Sequence, residues 1–333
     1  MTSEHPIGHG EDGSKLSASP YSVRTVVSLP HDRDIDIIEG LAIDRQGNIF
    51  VGVLSGTIIK IAPDGSQSVL TTFEFGDGLG TSAWLVGLAV DEPGNVYAAL
   101  ITHNQPGAAT HGVWRVRPDG SKELAGAVPA AEGEPNQVAL DRNGNIYLTD
   151  SLLGIVWRIA PGSKEATPWA QGPLLQPAAK VGNPCNVDHG MAIRTGCNGL
   201  AFDTHGELYV ANSSQATVLR IEADPSTGTA SVHEHVHDCA RLPSLDHIAF
   251  DVEGNLYGAR NHANEIIRIT PGKRIETLAT TADGLNYPVN VSFGPGCPAF
   301  GTGAENRHQL YFTNLLGRTL QVLDAGVPGL PMP

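Results

Sequence analysis

Four polar residues occupy the same place in successive copies of a repeated sequence motif. Each lies two residues before a segment that reads apolar, small, apolar, Asp, two spacers, Gly and an apolar pair. The four are Glu39, Asn136, Asn198 and Asp246. Carboxylate and amide oxygens are the ligands that Ca²⁺ prefers in proteins. Because all four share one offset from the repeat, we expect them to converge on a divalent metal, with Ca²⁺ as the favoured ion.

The chemistry expected of such a site is hydrolysis. A bound cation polarises a carbonyl oxygen and stabilises the negative charge that forms there when water attacks. Asp246 is the favoured base for that water, and the adjacent His247 is its rival. Two further copies carry Val86 and Val289 at the ligand position, which predicts an apolar wall on one side of the site. Asn290, one residue later, is expected to reach the channel and the substrate.

The repeats also predict the architecture that positions these residues. Six copies of the motif are each followed by a third alternating strand, and often by a turn and a short fourth strand. Four strands in a repeat of this length are typical of a β-propeller blade. The sequence therefore predicts an all-β protein, a six-bladed β-propeller with four antiparallel strands per blade. The sixth copy stops after its third strand, and Ser22 to Leu29 is expected to close the last blade. We expect one domain over 21–333, preceded by a flexible tail over 1–20.

Strand order decides which side chains can meet. In a propeller the inner strand of each blade lines the central channel, so the four candidate ligands are expected at one mouth of it. The second strand returns to that mouth, and its last residues are expected to face substrate together with the long loops beyond. The candidate substrate-binding residues are Asn136, Asp150, Asn212, Arg260, Asn290 and, in the long loop before blade four, His189.

Charge and composition argue against several functions. The formal net charge of −14 leaves no basic surface for phosphates, so no nucleic-acid partner is expected. Residues 1–20 lack the apolar core of a secretory signal, and no segment has the length of apolar chain that a membrane helix needs. We therefore expect a cytoplasmic protein without a membrane partner. Its partner should be a small-molecule substrate, and its state a monomer or weak homo-oligomer.

The cysteines give a weaker signal. The chain has four of them and no CxxC pair, which argues against a zinc ribbon: Cys185, Cys197, Cys239 and Cys297. Four reduced thiols are expected in a cytosolic protein, and a bridge between Cys185 and Cys197, which share one loop, is the alternative. His233, His235 and His237 alternate in the outer strand of blade four and are expected to face solvent.

Short motifs open four of the blades: Glu39-Gly40, Pro135-Asn136, Asn198-Gly199-Leu200-Ala201 and Asp246. With them, the region from about Tyr21 to Leu323 resembles the senescence-marker-protein/regucalcin/gluconolactonase-like family of six-bladed propeller lactonases, and more distantly the paraoxonases. The resemblance implies that these Glu, Asn and Asp residues bind a divalent metal, usually Ca²⁺, and that a lactone is hydrolysed. It also implies that Asn136 holds metal or substrate.

The chain departs from the family pattern in three places. Asn136-Gln137-Val138 replaces a common Asn-Asp-Gly, and Asp246-His247 replaces a common Asp-Gly. Blade two shows no equivalent of the sugar-lactonase arginine. Its apolar opening, Trp84-Leu85-Val86, favours a substrate less polar than a sugar-acid lactone.

Two other classes of function stay open. One is a biosynthetic propeller enzyme with non-hydrolytic chemistry, such as a strictosidine-synthase-like condensation, a cyclisation or an isomerisation. Activity without metal would favour it. The other is a non-catalytic scaffold resembling NHL-repeat propellers. The acidic charge argues against an RNA-binding scaffold, and the asymmetric polar ring argues against a passive one.

Overall fold

The computed structural model describes residues 21–29, 37–75, 83–104, 109–182, 185, 187–188, 191–223, 228–296 and 305–331. The tail predicted over 1–20 and the candidate substrate-binding residue His189 lie outside these ranges.

Six four-stranded antiparallel sheets surround a central channel, which confirms the six-bladed β-propeller. The strands are given from the channel outward. Blade one has Ile38–Ile43, Ile49–Val53, Thr57–Ile61 and Gln67–Thr72, and blade two has Trp84–Val90, Val96–Ile101, Gly112–Val116 and Lys122–Ala127. Blade three has Pro135–Leu140, Ile146–Asp150, Ile155–Ile159 and Thr167–Gln171, and blade four has Cys197–Phe202, Leu208–Asn212, Thr217–Ala223 and Ala230–His237. Blade five has Leu245–Phe250, Leu256–Arg260, Glu265–Ile269 and Ile275–Ala279, and blade six has Pro288–Phe293, Gln309–Asn314, Thr319–Asp324 and Val23–Ser28.

The N-terminal strand closes the ring as predicted. Val23–Ser28 pairs antiparallel with Thr319–Asp324, from Val23 opposite Leu323 to Ser28 opposite Thr319. An unpaired outer edge on that third strand would expose a row of backbone donors and acceptors. The pairing covers this edge and joins the two ends of the chain in one blade.

In the described part of the chain, helical structure is confined to connections between strands. A short α-helix, Ala178–Val181, and a two-residue hairpin, Val187–Asp188 with Met191–Ala192, lie in the loop between blades three and four. A 3₁₀ helix, Thr281–Asp283, precedes blade six. Among the described residues, no helix is long and apolar enough to cross a membrane.

Aromatic side chains join neighbouring blades. The ring of Tyr147 in blade three lies 5.5 Å from that of Phe202 in blade four, and Tyr209 lies 5.0 Å from Phe250 in blade five. Both tyrosines are buried, as expected for repeated core positions. Edge-to-face contacts of this kind add to the free energy gained by burying the rings. The packing between blades therefore fixes the inner strands relative to one another.

The structure corrects the expectation for the cysteines. Cys185 forms a disulfide with Cys239, whose Cα atom lies 5.2 Å away. Cys197 keeps a free, buried thiol, so both the four reduced thiols and the alternative Cys185–Cys197 bridge are wrong. Closeness in sequence favoured Cys197, but the outer strand of blade four carries the chain back to Cys185 just before Cys239.

Candidate active site

The four candidate ligands sit in β-bulges near the start of their inner strands. In blades one, three, four and five the pairing with the second strand skips two inner-strand residues at the same place. The first skipped residue in each is Glu39, Asn136, Asn198 or Asp246. A bulge bends its strand and re-aims a side chain that the pleat would otherwise direct. The shared bulge is the structural reason for the shared sequence offset.

Glycine follows the ligand in two of these bulges because the neighbouring blade passes very close. A Cβ atom on Gly199 would lie 2.4 Å from the carbonyl oxygen of Asp246, and one on Gly40 would lie 2.4 Å from that of Val86. Both contacts are with backbone, so no side-chain rotation relieves them. The second bulge position is therefore set by packing between inner strands.

Gly199→Ala should destabilise the protein by about 1–3 kcal/mol, because its methyl group must push the blade-five bulge away. Cation affinity should fall as well, since that bulge carries Asp246. Gly272→Ala is the matched control, because the nearest atom to its added Cβ is Thr270 Oγ1 at 3.8 Å. Thermal unfolding followed by circular dichroism compares the two variants. Equal stability would contradict the close packing at Gly199.

Asp246 and Glu39 form a pair of acids in the channel. Asp246 is 8% exposed, and its Oδ2 accepts a hydrogen bond from Asn261 Nδ2 at 3.0 Å. Burial and then the negative charge of Glu39 raise the pKa of Asp246 well above its usual range, against hydrogen bonds from Asn261 and Asn198 that lower it. Burial raises the pKa of Glu39 to about 7. Such a pair is stabilised by a proton or by a cation that compensates its charge.

Two amide oxygens at the starts of inner strands are buried without a donor. Asn198 Nδ2 donates to Ser213 Oγ at 3.1 Å, and the Ser213 hydroxyl donates to Leu245 O at 2.7 Å. These bonds fix the orientation of the amide and leave Asn198 Oδ1 without a partner among the described residues. Asn290 Oδ1 is likewise unpaired within the described part of the chain. A buried unsatisfied acceptor costs about 1–3 kcal/mol, so both oxygens fit a bound ligand.

Two residues that contact the candidate ligands each lie one position after a residue that the sequence predicted. Ser213 bonds Asn198 and Asn261 bonds Asp246, and each is the first residue after a second strand. Successive residues of a strand point to opposite sides. The first residue after the second strand therefore reaches the channel, whereas the last residue of that strand points away from it. A signal was present in the sequence, because polar residues follow the second strands of blades three, four and five: Ser151, Ser213 and Asn261.

Three residues predicted to bind substrate have other contacts. Asp150 accepts three backbone N–H bonds through Oδ1 and one from Trp157 Nε1 through Oδ2. Asn212 Nδ2 donates to two carbonyls of the loop before blade four. Arg260 is 3% exposed and pairs with Glu265 at 2.7 Å. These contacts support a role in holding loops, and substrate binding by the three residues stays a prediction.

The remaining predicted residues are not all on one side of the channel. Asn136 lies part-buried at the bulge of blade three. His247, the second bulge residue of blade five, lines a cavity of about 990 Å³ toward the opposite face, together with Gln137. Burial lowers the pKa of His247 to about 4, which keeps the ring neutral near neutral pH. The structure therefore does not group His247 with the acid pair, and its role as a base stays a prediction.

Tyr287 is a further neighbour of the acid pair. Burial, and then the charges of Asp246 and Glu39, raise the pKa of its phenol to about 12. Its backbone has a φ of 61°, and its N–H donates to Asn264 Oδ1 at 2.6 Å. A bulky residue in this left-handed region is uncommon and often marks a functional site. The phenol stays protonated and is a hydrogen-bond donor beside the acids.

Comparisons with known proteins agree with the fold. A family model described as the SMP-30/gluconolactonase/LRE-like region matches residues 130–316, more than half of the chain. No curated protein matches the sequence. A gluconolactonase from Xanthomonas campestris is 18% identical with a TM-score of 0.61, over 95% of this chain and 93% of its own.

Two other solved structures have the same architecture. A luciferin-regenerating enzyme is 15% identical with a TM-score of 0.62, over 94% of this chain and 98% of its own. A virginiamycin B lyase from Staphylococcus aureus is 14% identical with a TM-score of 0.56, over 91% of this chain and 99% of its own. At such identities these likenesses show the fold alone.

Proposed function

Because the chain belongs to the SMP-30/gluconolactonase/LRE-like family, we propose that it is a metal-dependent hydrolase of a lactone or related carboxylic ester, acting at the channel mouth. One observation carries the proposal. Glu39 and Asp246 place two acids together in the channel, beside a buried Asn198 oxygen that has no donor among the described residues. A site with negative charge and an unsatisfied acceptor is suited to a cation.

Glu39, Asn136, Asn198 and Asp246 would hold this cation, and an oxygen-only donor set favours Ca²⁺. The residues fit because Asn198 Nδ2 is already bonded to Ser213, so Oδ1 is the end of the amide that is left for a ligand. When bound, the cation polarises a carbonyl and stabilises the oxyanion that forms during hydrolysis.

The chain supplies the proton transfer and the orientation. Asp246 takes the proton from the attacking water, and Asn261 holds its carboxylate through the 3.0 Å bond to Oδ2. Tyr287 stays protonated and donates a hydrogen bond to the substrate. Asn261 lies in the turn between the second and third strands of blade five, and Tyr287 lies in the connection from blade five to blade six.

The apolar side of the mouth bears on the substrate class. Val86 and Val289 occupy the ligand position in blades two and six, and they are 3% and 2% exposed. Neither side chain can hydrogen-bond a hydroxyl group. A site with such a wall leaves the hydroxyls of a sugar-acid lactone unpaired on that side, so an aliphatic or aromatic lactone is the preferred class.

Chelation should abolish lactone hydrolysis, with a loss of about a hundredfold or more, because the cation accounts for several kcal/mol of transition-state stabilisation. The experiment measures turnover of apolar and sugar-acid lactones before chelation, after chelation and after Ca²⁺ is restored. Recovery with Ca²⁺, and faster turnover of the apolar lactones, are expected. Full activity after chelation would contradict metal dependence and favour a metal-independent reaction.

A further inference from the structure

Three potential metal ligands meet at the outer side of blade four, away from the acid pair. His237 Nε2 lies 3.4 Å from Cys185 Sγ and 3.5 Å from Cys239 Sγ. The two sulfur atoms form the disulfide described above. One ligand atom from each residue therefore lies within 4.8 Å of the others.

His237 ends a strand, Cys239 lies in the turn after it, and Cys185 lies in a loop. His237 is the last residue of the outer strand and pairs with Thr217. Cys239 follows in a turn that Asp238 holds, because Asp238 Oδ1 accepts from two backbone N–H groups at 2.9 and 3.0 Å. Cys185 is 4% exposed and reaches this turn from the loop before blade four.

We propose that Cys185, His237 and Cys239 form a site for a thiophilic divalent cation such as Zn²⁺, which exists when the disulfide is reduced. Two thiolates and an imidazole are a common zinc donor set, with water in the fourth place. Bonds of about 2.3 Å to sulfur and 2.0 Å to nitrogen at tetrahedral angles separate such ligands by roughly 3.5–3.8 Å. The two distances from His237 to sulfur are close to this separation. Only the two sulfurs must move apart, which rotation of a cysteine side chain allows.

The imidazole is what distinguishes this pair from an ordinary structural disulfide. A bridge between Cys185 and Cys239 needs no third partner, yet His237 contacts both sulfurs. Cys239 and His237 are exposed, so a metal or a small thiol reagent can reach them. Cys197 does not compete, because it is fully buried and burial raises the pKa of its thiol.

Oxidation would release the metal in a balanced exchange. One protein thiolate attacks a small-molecule disulfide such as glutathione disulfide, breaks its S–S bond, forms a mixed disulfide and releases the first small thiolate. The second protein thiolate attacks the mixed disulfide, forms the protein S–S bond and releases the second small thiolate. The protein thus loses two electrons, and the two small thiolates take up two protons and leave as thiols. Zinc is freed because neither sulfur remains a thiolate, and the metal-bound and disulfide states exclude each other.

Cobalt(II) titration of the reduced full-length protein tests the site. We expect a single cobalt ion per chain to give sulfur-to-metal charge-transfer absorption, and Zn²⁺ to displace it. The oxygen ligands of the channel cannot give this absorption. Cys185→Ser or Cys239→Ser should abolish the signal, and His237→Gln, which removes one ligand, should weaken binding at least about tenfold. Pretreatment with glutathione disulfide should abolish it reversibly.

His233→Gln is the matched control, because His233 is an exposed histidine on the same strand. Cys297→Ser is a second control, because it removes a cysteine that is not part of the proposed site. Neither change should alter cobalt binding. Absence of the absorption in reduced protein that retains its circular dichroism spectrum would overturn the proposal. So would unchanged binding in Cys185→Ser or in His237→Gln. None of these measurements depends on hydrolysis, so the outcome is independent of the proposed activity.

Discussion

Asp246→Asn and Glu39→Gln should each lower kcat/KM for lactone hydrolysis by about a hundredfold or more, and should weaken Ca²⁺ binding in parallel. Each change keeps the size of the side chain and removes its negative charge. Asn261 Nδ2 donates a hydrogen bond to Asp246 Oδ2, so the amide of Asp246→Asn keeps an oxygen that can accept at the same place. The charge is therefore the property that the two variants test. Isothermal titration with Ca²⁺ and initial rates on the best lactone measure it.

The same two variants should fold at least as well as the unaltered protein in the absence of metal. Burial raises the pKa of both acids, which means that each carboxylate is less stable in the channel than in water. A neutral amide avoids that cost. Loss of activity with an unchanged or higher metal-free Tm therefore separates a functional role from misfolding.

Glu92→Gln is the matched control for Glu39→Gln. The Glu92 side chain is 68% exposed and forms a surface ion pair with Arg45, and such pairs contribute little to stability. This variant should keep wild-type activity and Ca²⁺ affinity. Wild-type kcat/KM in Asp246→Asn or Glu39→Gln would rule out the proposed site.

The fold could be predicted because the strand pattern of a blade recurs six times in the sequence. Each blade repeats the apolar inner strand, and five of the six repeat the Asp-x-x-Gly turn, whose Asp accepts backbone N–H bonds, as Asp44 does from Gln46 and Asn48. The N-terminal closing strand followed from a count, because the sixth repeat lacked its outer strand. Local pattern and overall topology agree throughout, which is what makes such a sequence readable.

The site was less predictable because its geometry depends on one-residue shifts. The offset predicted the four candidate ligands, but not the bulge in which all four lie. A shift of one residue reverses the side to which a strand residue points. Predicted partners therefore fell on Asn212 and Arg260, while Ser213 and Asn261 make the contacts. Tyr287 lies beside the acids through a turn that no periodicity reveals.

The disulfide was missed for a different reason. Sequence spacing measures the length of a loop, whereas pairing depends on where strands return the chain. Cys185 and Cys239 have a sequence separation of 54 and all four strands of blade four lie between them, yet their Cα atoms lie 5.2 Å apart. Only the placement of the outer strand brings them together.

The stability of the metal-free protein should depend on Glu39 between about pH 4.5 and pH 7, and Ca²⁺ should remove that dependence. The pKa of Glu39 is raised in the folded protein from 4.5 to about 7, so the folded state holds the proton more tightly than the unfolded chain. Stability from this group is therefore fully present at low pH and is lost as the pH rises through 7. The loss is on the order of a few kcal/mol. A bound cation reverses the sign, because it binds the ionised carboxylate and stabilises the folded state.

The measurement must separate the effect of Glu39 from that of groups whose titration changes stability in the opposite direction. The pKa of His247 is lowered to about 4 in the folded protein, so the contribution of this residue to stability is lost as the pH falls. Over much of the same pH range, His247 therefore makes the protein more stable as the pH rises. The difference in Tm between the unaltered protein and Glu39→Gln cancels this background. Without metal, the Tm of Glu39→Gln minus that of the unaltered protein should rise by several degrees from pH 5 to pH 8. With Ca²⁺ the difference should change sign at high pH, because only the unaltered protein binds the ion tightly. Glu92→Gln should follow the unaltered protein at every pH. Parallel Tm curves for the unaltered protein and Glu39→Gln, both with and without Ca²⁺, would mean that the carboxyl of Glu39 neither holds a proton nor binds the ion.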